Sequence, residues 1–142
     1  MKDAIPLLTP VAHAALRVVS GGMFTFHGIQ KILGWLSKNP PSDPLTQIWF
    51  GGLIELFCGL LIAAGLLTRP AAFLSSGTMA VAYIQYHWKF DWAAFQWVPG
   101  VNRSELAVLY CFVFLLIFAY GPGPFALDPY VRILRRKKPP GE

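Results

Sequence analysis

Residues 49–70 read WFGGLIELFCGLLIAAGLLTRP. From Trp49 to Leu67 the one charged residue is Glu55, and the apolar positions do not fall on a single stripe. A helix that is apolar all round is buried either in a large protein or in lipid. A bilayer crossing takes about 20 mostly apolar residues, and this run has that length. Thr68-Arg69-Pro70 then leaves almost no room to turn. Pro70 suits the first position of a following helix, where its missing N–H would be unpaired in any case. The segment therefore predicts two antiparallel helices joined by a very tight connection.

Working outward, three more spans of this kind are present. Residues 11–35 carry Arg17, His27 and Lys31; residues 70–88 carry no Asp, Glu, Lys or Arg; residues 104–120 begin beside Glu105 and hold no other charge. Pro40, Pro41 and Pro44 with Ser42 and Asp43 mark a loop after the first span, and Gly121-Pro122-Gly123-Pro124 ends the last. Asn102 and Glu105 have N-cap and N3 spacing and predict the start of the fourth helix. The expected fold is all-α: an antiparallel, integral-membrane four-helix bundle over residues 1–128, followed by a basic cytoplasmic tail at 129–142.

Composition supports the bundle. The chain has 142 residues, room for one domain; 55% are apolar and 13% charged, where a soluble domain carries about 25% charged residues. Mean hydropathy is +0.49. So few charges cannot cover a wetted surface, which argues against a free cytosolic protein and against a disordered chain. A single Lys2 precedes the first span and no small-residue cleavage pattern follows a short apolar core, so this span reads as retained rather than as a cleaved signal. Cys58 and Cys111 lie in apolar runs without a Cys-x-x-Cys pair and read as buried thiols.

The net charge is +5, and five of the twelve basic residues form one terminal cluster, Arg132, Arg135, Arg136, Lys137 and Lys138. Such a cluster beyond an apolar helix is a membrane-orientation signal rather than a nucleic-acid surface. With four spans the termini share a side, which holds seven basic residues against three, Lys38, Lys89 and Arg103, on the other. The termini are therefore expected in the cytoplasm. Trp35, Trp49, Trp88, Trp92 and Trp97 all fall on the opposite side, where amphipathic rings suit the headgroup level.

Ionisable residues inside spans are costly and mark functional hypotheses. His27, Lys31, Glu55, His87 and Glu105 gather in the outer half; Arg17 sits in the inner half, where it is expected to snorkel to the headgroups. His27 and Lys31 share a helix face at i and i+4. Gly51, Glu55 and Gly59 fall on one face by steps of four, and glycines admit a neighbouring backbone, so Glu55 is expected to face the bundle and approach His27 or Lys31. Met79, Tyr83 and His87 line one face of the third helix by the same arithmetic. Two readings follow: a ligand pocket opening to the outer leaflet, lined by His27, Lys31, Glu55, His87 and Glu105, or an ion pair that only orders the helices. No metal is expected, because the histidines and glutamates lack Glu-x-x-His or His-Glu-x-x-His spacing. No nucleophile elbow or phosphate loop is written either.

The motifs, in order, are His27-Gly28-x-Gln30-Lys31, Gly51-Gly52-x-x-Glu55, Gly65-Leu66-Leu67-Thr68-Arg69-Pro70-Ala71, Met79-Ala80-x-Ala82-Tyr83 before His87, Asn102-x-x-Glu105, and Gly121-Pro122-Gly123 with Asp128. In this order and spacing, over roughly residues 14–128, the chain resembles the DoxX family of small bacterial inner-membrane proteins. The resemblance implies a four-helix bundle and an association with redox metabolism, since related proteins include subunits of quinone-reducing sulfur oxidoreductases and partners in membrane-bound antioxidant complexes. It implies no settled mechanism. One expectation is a redox-associated subunit that binds a quinone-like or other lipophilic molecule, with His27, Gln30, Lys31 and Tyr83 as donors and Glu55 or a histidine moving protons. The other is a non-catalytic scaffold or assembly partner. The expected partners are the bilayer, a soluble or membrane oxidoreductase subunit, or a second copy of the chain, and not nucleic acid.

Overall fold

The structure is a computed structural model that describes residues 5–136; Lys2, Lys137 and Lys138 lie outside the described residues. Its long helices are α1 (Ile5–Leu33), α2 (Gln47–Ala64) and α3 (Thr68–Ala82), the last running on into a π-helical turn (Tyr83–Trp88). A 3₁₀ turn (Ala93–Phe95) and a short helix α4 (Pro99–Asn102) lead to α5 (Glu105–Tyr120) and then to α6 (Asp128–Arg136). The described residues hold no strand, so the chain is all-α as expected. The four expected spans correspond to α1, α2, α3 with its π turn, and α5; α1 starts six residues before the expected boundary and ends two residues short of it.

α1 lies along α2, α3 lies along α5, and α2 touches α3, whereas α1 and α5 barely meet. Phe24, Ile62, Ala72, Met79, Phe114 and Ile117 are buried between the helices. Outside, Phe57, Leu60, Phe73, Leu74, Leu109, Phe112 and Leu115 are exposed, so large apolar side chains line the exterior as well as the core. α2 is long and apolar enough to cross a bilayer, and α5 is a shorter apolar helix.

Glycine sets the α1–α2 distance. A Cβ on Gly59 would lie 2.5 Å from the Thr25 backbone nitrogen, one on Gly21 would lie 2.7 Å from that of Ala63, and one on Gly28 would overlap that of Leu56. Backbone touches backbone, which only glycine permits. The contact face of α2 is Gly52, Glu55 and Gly59, all buried. Gly51, expected on that face, meets nothing within 4 Å; steps of three and four, not four alone, follow a 3.6-residue turn.

The α2–α3 connection differs in detail from the expectation. Gly65 closes α2 in the left-handed region, φ 70°, as glycine does beyond helix ends. A Cβ there would lie 2.6 Å from Arg17 Nη1, so the same glycine admits a guanidinium. Leu67 precedes α3 at φ 48° and Thr68 opens it, which makes Pro70 the third helical residue rather than the first. The cap comes from the other end of the chain: Leu67 N donates to Asp128 Oδ1 at 2.7 Å and Thr68 N to Asp128 Oδ2 at 3.0 Å. A carboxylate at a helix N-terminus satisfies free N–H groups and opposes the helix dipole.

Arg17 does not snorkel. It is 0% exposed. Its Nη1 donates to Ile62 O at 2.8 Å and Ala63 O at 2.7 Å, and its Nη2 donates to Phe125 O at 2.9 Å and Pro124 O at 3.4 Å. The carbonyls left open at the C-terminal end of α2 attract a cation, and the fork of the guanidinium reaches a second strand of backbone. One side chain thus ties α1 to the end of α2 and to the entry of α6.

The start of α5 is also reassigned. Ser104, not Asn102, precedes the helix, and Glu105 is its exposed first residue. Asn102 ends α4; its Oδ1 accepts from Ser104 N at 3.0 Å while its Nδ2 donates to Gln96 O at 2.7 Å. It braces the loop rather than capping α5 at N3 spacing.

Candidate functional site

At the end of the helices away from Arg17, the close α1–α2 contact brings Lys31 beside Glu55. Lys31 is one turn beyond Gly28 and Glu55 one turn beyond Gly52, and Lys31 Nζ lies 2.6 Å from Glu55 Oε1. Glu55 is 2% exposed. Its second oxygen, Oε2, is buried without a hydrogen-bond partner. A buried acceptor left unmatched costs about 1–3 kcal/mol, and more when it is charged, so Oε2 is the group whose surroundings require an explanation.

Glu55 also lines a cavity of about 210 Å³ whose walls include Phe24, His27 and Lys31 of α1, Met79 and Ala82 of α3, His87 of the π turn, Arg103, and Tyr110 of α5. All four long helices contribute. The Tyr110 hydroxyl is a second buried polar atom with no hydrogen-bond partner. Its ring is packed in place: Phe24 lies 5.5 Å away, Phe114 stacks at 5.5 Å, and His27 meets it edge-on at 6.2 Å. A second chamber of about 280 Å³ reaches toward Gln47 and Tyr86 between α2 and the π turn, and Lys31, Glu55, Met79, Ala82 and His87 line both chambers. The ion pair therefore stands in the wall between them.

The π turn decides which residues of the third helix reach this place. A π turn accommodates one extra residue in the helical path. It brings His87 to the face of Met79, and both line the cavity. His87 Nδ1 lies 3.3 Å from Asn102 O, so the loop braced by Asn102 holds the ring. Tyr83, expected on the same stripe, lies outside the cavity; its hydroxyl donates to Trp97 O, and its ring packs 6.0 Å from Trp88. Constant α-helical arithmetic cannot foresee that offset.

Of the residues singled out in the sequence, His27, Lys31, Glu55 and His87 come together. Three do not join them. Gln30 Nε2 donates to Leu36 O at 3.1 Å and closes the chain after α1. Tyr83 supports the aromatic loop, and Glu105 is exposed at the N-terminus of α5, where a carboxylate suits the helix dipole. Two polar cavity residues were not singled out as site residues. Tyr110 carries a hydroxyl in the middle of an otherwise apolar span, which is the signal that marks it. Arg103 reads in sequence only as a loop charge, and its place in the wall depends on a left-handed φ of 60°. The described residues contain no group of three or more His, Cys, Asp or Glu suited to a metal ion.

The cavity thus gathers a carboxylate, a tyrosine, two basic side chains and two imidazoles, while Glu55 Oε2 and the Tyr110 hydroxyl are buried without hydrogen-bond partners. A profile of the DoxX family matches residues 12–88. The chain belongs to the DoxX family. A Haemophilus influenzae protein (strain Rd), named only as an uncharacterized protein, is 36% identical over 124 residues, covering 84% of this chain and 90% of the relative. No solved structure matches. The matched stretch of this DoxX protein contains His27, Lys31, Glu55 and His87, and stops short of Arg103 and Tyr110 on α5.

Proposed function

We propose that this DoxX protein is a multi-pass inner-membrane protein with cytoplasmic termini, and that its cavity binds the polar headgroup of a quinone-like or similarly lipophilic molecule in a redox-associated complex. The observation that carries the reading is the pair of buried atoms without hydrogen-bond partners, Glu55 Oε2 and Tyr110 OH, in helices contributing to one cavity of about 210 Å³. Membrane insertion accounts for the apolar exterior, because lipid is the solvent that makes exposed Phe57, Leu60, Phe73 and Leu109 favourable. The basic end of the chain and the aromatic cluster of Trp88, Phe90 and Trp92 at the other end support the orientation.

The donor set fits a headgroup that changes between carbonyl and hydroxyl. Tyr110 OH and Lys31 Nζ donate to a carbonyl oxygen, and Glu55 Oε2 accepts from a hydroxyl. Two basic side chains against one carboxylate favour negative charge on a ligand oxygen. Glu55 and the imidazoles are the groups for proton transfer at that oxygen.

A second reading is a non-catalytic scaffold or assembly partner of an oxidoreductase, and the Lys31–Glu55 contact favours it, since the pair neutralises one buried carboxylate and joins α1 to α2. Titration of purified protein with a short-tailed benzoquinone separates the two. Under the binding reading, saturable binding weakens about tenfold or more in Glu55→Gln and Tyr110→Phe, as expected for the loss of a hydrogen bond involving a charged or buried partner. The fold is retained, because Gln and Phe fill the same space. His27→Ala combined with Glu55→Gln gives a less than additive loss. Absence of saturable binding, or binding indifferent to Glu55→Gln, leaves the scaffold reading standing.

A further inference from the structure

The charges around the cavity do not balance. Glu55 is the one carboxylate in its wall, and Lys31 neutralises it at 2.6 Å. Arg103 stands in the same wall without a carboxylate of its own. The left-handed turn that ends α4, φ 60° and ψ 30°, places it there, and among the described residues its guanidinium has neither an ion pair nor a hydrogen bond. Glu105, two positions on, is exposed and does not line the cavity. The adjoining chamber adds no further Asp, Glu, Lys or Arg. Two cations against one carboxylate leave one positive charge with both imidazoles neutral, and a proton on His27 or His87 only adds to it. Phe24, Met79, Ala82 and Leu106 make much of the remaining wall apolar, and low-dielectric walls concentrate the field of the charge beside them. Arg103 is exposed as a residue, so its place is the mouth of the cavity.

Resting on the headgroup reading above, we propose that the cavity selects a head that is already an anion in its resting state, and that Arg103 is the residue that selects it. The ligand class is then an acidic ring, with an ionised hydroxyl beside a ring carbonyl and the negative charge shared over the two neighbouring oxygens. A guanidinium meets such a pair of oxygens with two parallel N–H donors, as it meets a carboxylate. A neutral ring leaves Arg103 without a counter-charge at the cavity mouth, and an ionised ring supplies it. Lys31 assists without leaving Glu55, because an ammonium has three donors and the ion pair occupies one of them. The phosphate of a lipid headgroup carries oxygens of the same kind. Placement of Arg103 in one wall with Lys31, Tyr110 and two imidazoles favours the ring.

The test compares 2-hydroxy-1,4-naphthoquinone, ionised at neutral pH, with its uncharged methyl ether, both titrated into full-length protein. The measured quantity is the change from wild type to variant in the ratio of their affinities, in which the different partition of the two probes into lipid cancels. Arg103→Gln removes the charge, Arg103→Lys keeps it, and Lys89→Gln removes an exposed cation from the same end of the molecule outside the cavity wall. The expected result is that Arg103→Gln cuts the anion-to-ether ratio about tenfold, the scale of one charge-assisted hydrogen bond, with ether affinity intact. Arg103→Lys restores part of the ratio, and Lys89→Gln leaves it alone. If the ether binds saturably and Arg103→Gln leaves the ratio unchanged, or if Lys89→Gln lowers it as much, the selection by Arg103 is wrong and the headgroup reading survives. If wild-type protein binds neither probe, both fail. A tenfold drop in maltoside micelles that is absent in phosphatidylcholine nanodiscs assigns Arg103 to lipid phosphate and overturns the proposal.

Discussion

Arg17 and Glu55 are both buried charged residues in spans, and their surroundings assign them opposite roles. Arg17 has four backbone carbonyls around its two terminal nitrogens. Glu55 has one partner on one oxygen and none on the other. The first arrangement ties three segments through the two terminal nitrogens, with only Nε left without a partner, whereas the second leaves one of the two carboxylate oxygens unmatched. Removing Arg17 leaves the ends of α2 and of the 124–125 segment without donors, so Arg17→Met is expected to lose about 3–5 kcal/mol of stability, the scale of breaking a buried charged contact. Arg17→Lys, with a single ammonium that cannot span both carbonyl pairs, falls between the two. Denaturation of purified protein checks this, and equal stability of Met and wild type would show that the carbonyls find other donors. Sequence alone could say that both residues were costly to bury. It could not separate them, because the carbonyls that satisfy Arg17 belong to residues 45 to 108 positions away.

At the scale of elements, the helices were legible from hydropathy, length and turn residues, and their faces were legible only in part. Lys31 and Glu55 met as expected because glycine spacing is written in the sequence, although the contact runs through Gly52 rather than Gly51. Alanine substitution separates the two glycines. Gly51→Ala is expected to be neutral or to stabilise by about 0.5–1 kcal/mol, as for any helix-interior glycine. Gly59→Ala is expected to cost about 1–3 kcal/mol through overpacking against Thr25. Comparable melting temperatures for the two variants would contradict the backbone contact. The π turn was not legible, since no residue type in Tyr83–Trp88 specifies an extra residue per turn. Its consequence is testable by deleting Ile84: the path reverts to α-helix with His87 seven residues, about two turns, beyond Met79, so His87 keeps the face of Met79 and headgroup binding is expected to be retained at unchanged helix content by circular dichroism. Loss of binding in the deletion would show that the site depends on the π geometry itself.

The whole molecule is organised end to end. Arg17, Gly65, Leu67 and Asp128 knot the end where the chain enters α6, and the opposite end holds the polar cavity and the tryptophans of the aromatic loop. In the proposed orientation the basic residues at and beyond α6 face the cytoplasm, each adding about 1 kcal/mol near an anionic leaflet. The cavity would then open toward the periplasmic leaflet, where a molecule dissolved in the membrane would reach it sideways. Single cysteines at Asp43 and Asp91, both exposed in the loops at the cavity end, and at Tyr130 on α6 report the arrangement. Cys58 is buried and Cys111 half-buried in apolar helices, so neither competes for a charged reagent. In intact cells an impermeant thiol reagent is expected to label the first two positions and to reach position 130 only after the membrane is opened. Deleting residues 132–142 removes the cation cluster while leaving Asp128 to cap α3, so correctly inserted protein should keep its headgroup affinity and only the fraction inserted in that orientation should fall. Labelling at 130 with protection at 43 and 91 would invert the protein and place the cavity in the cytoplasmic leaflet; the cavity's chemistry would stand, and its access would be from the opposite side.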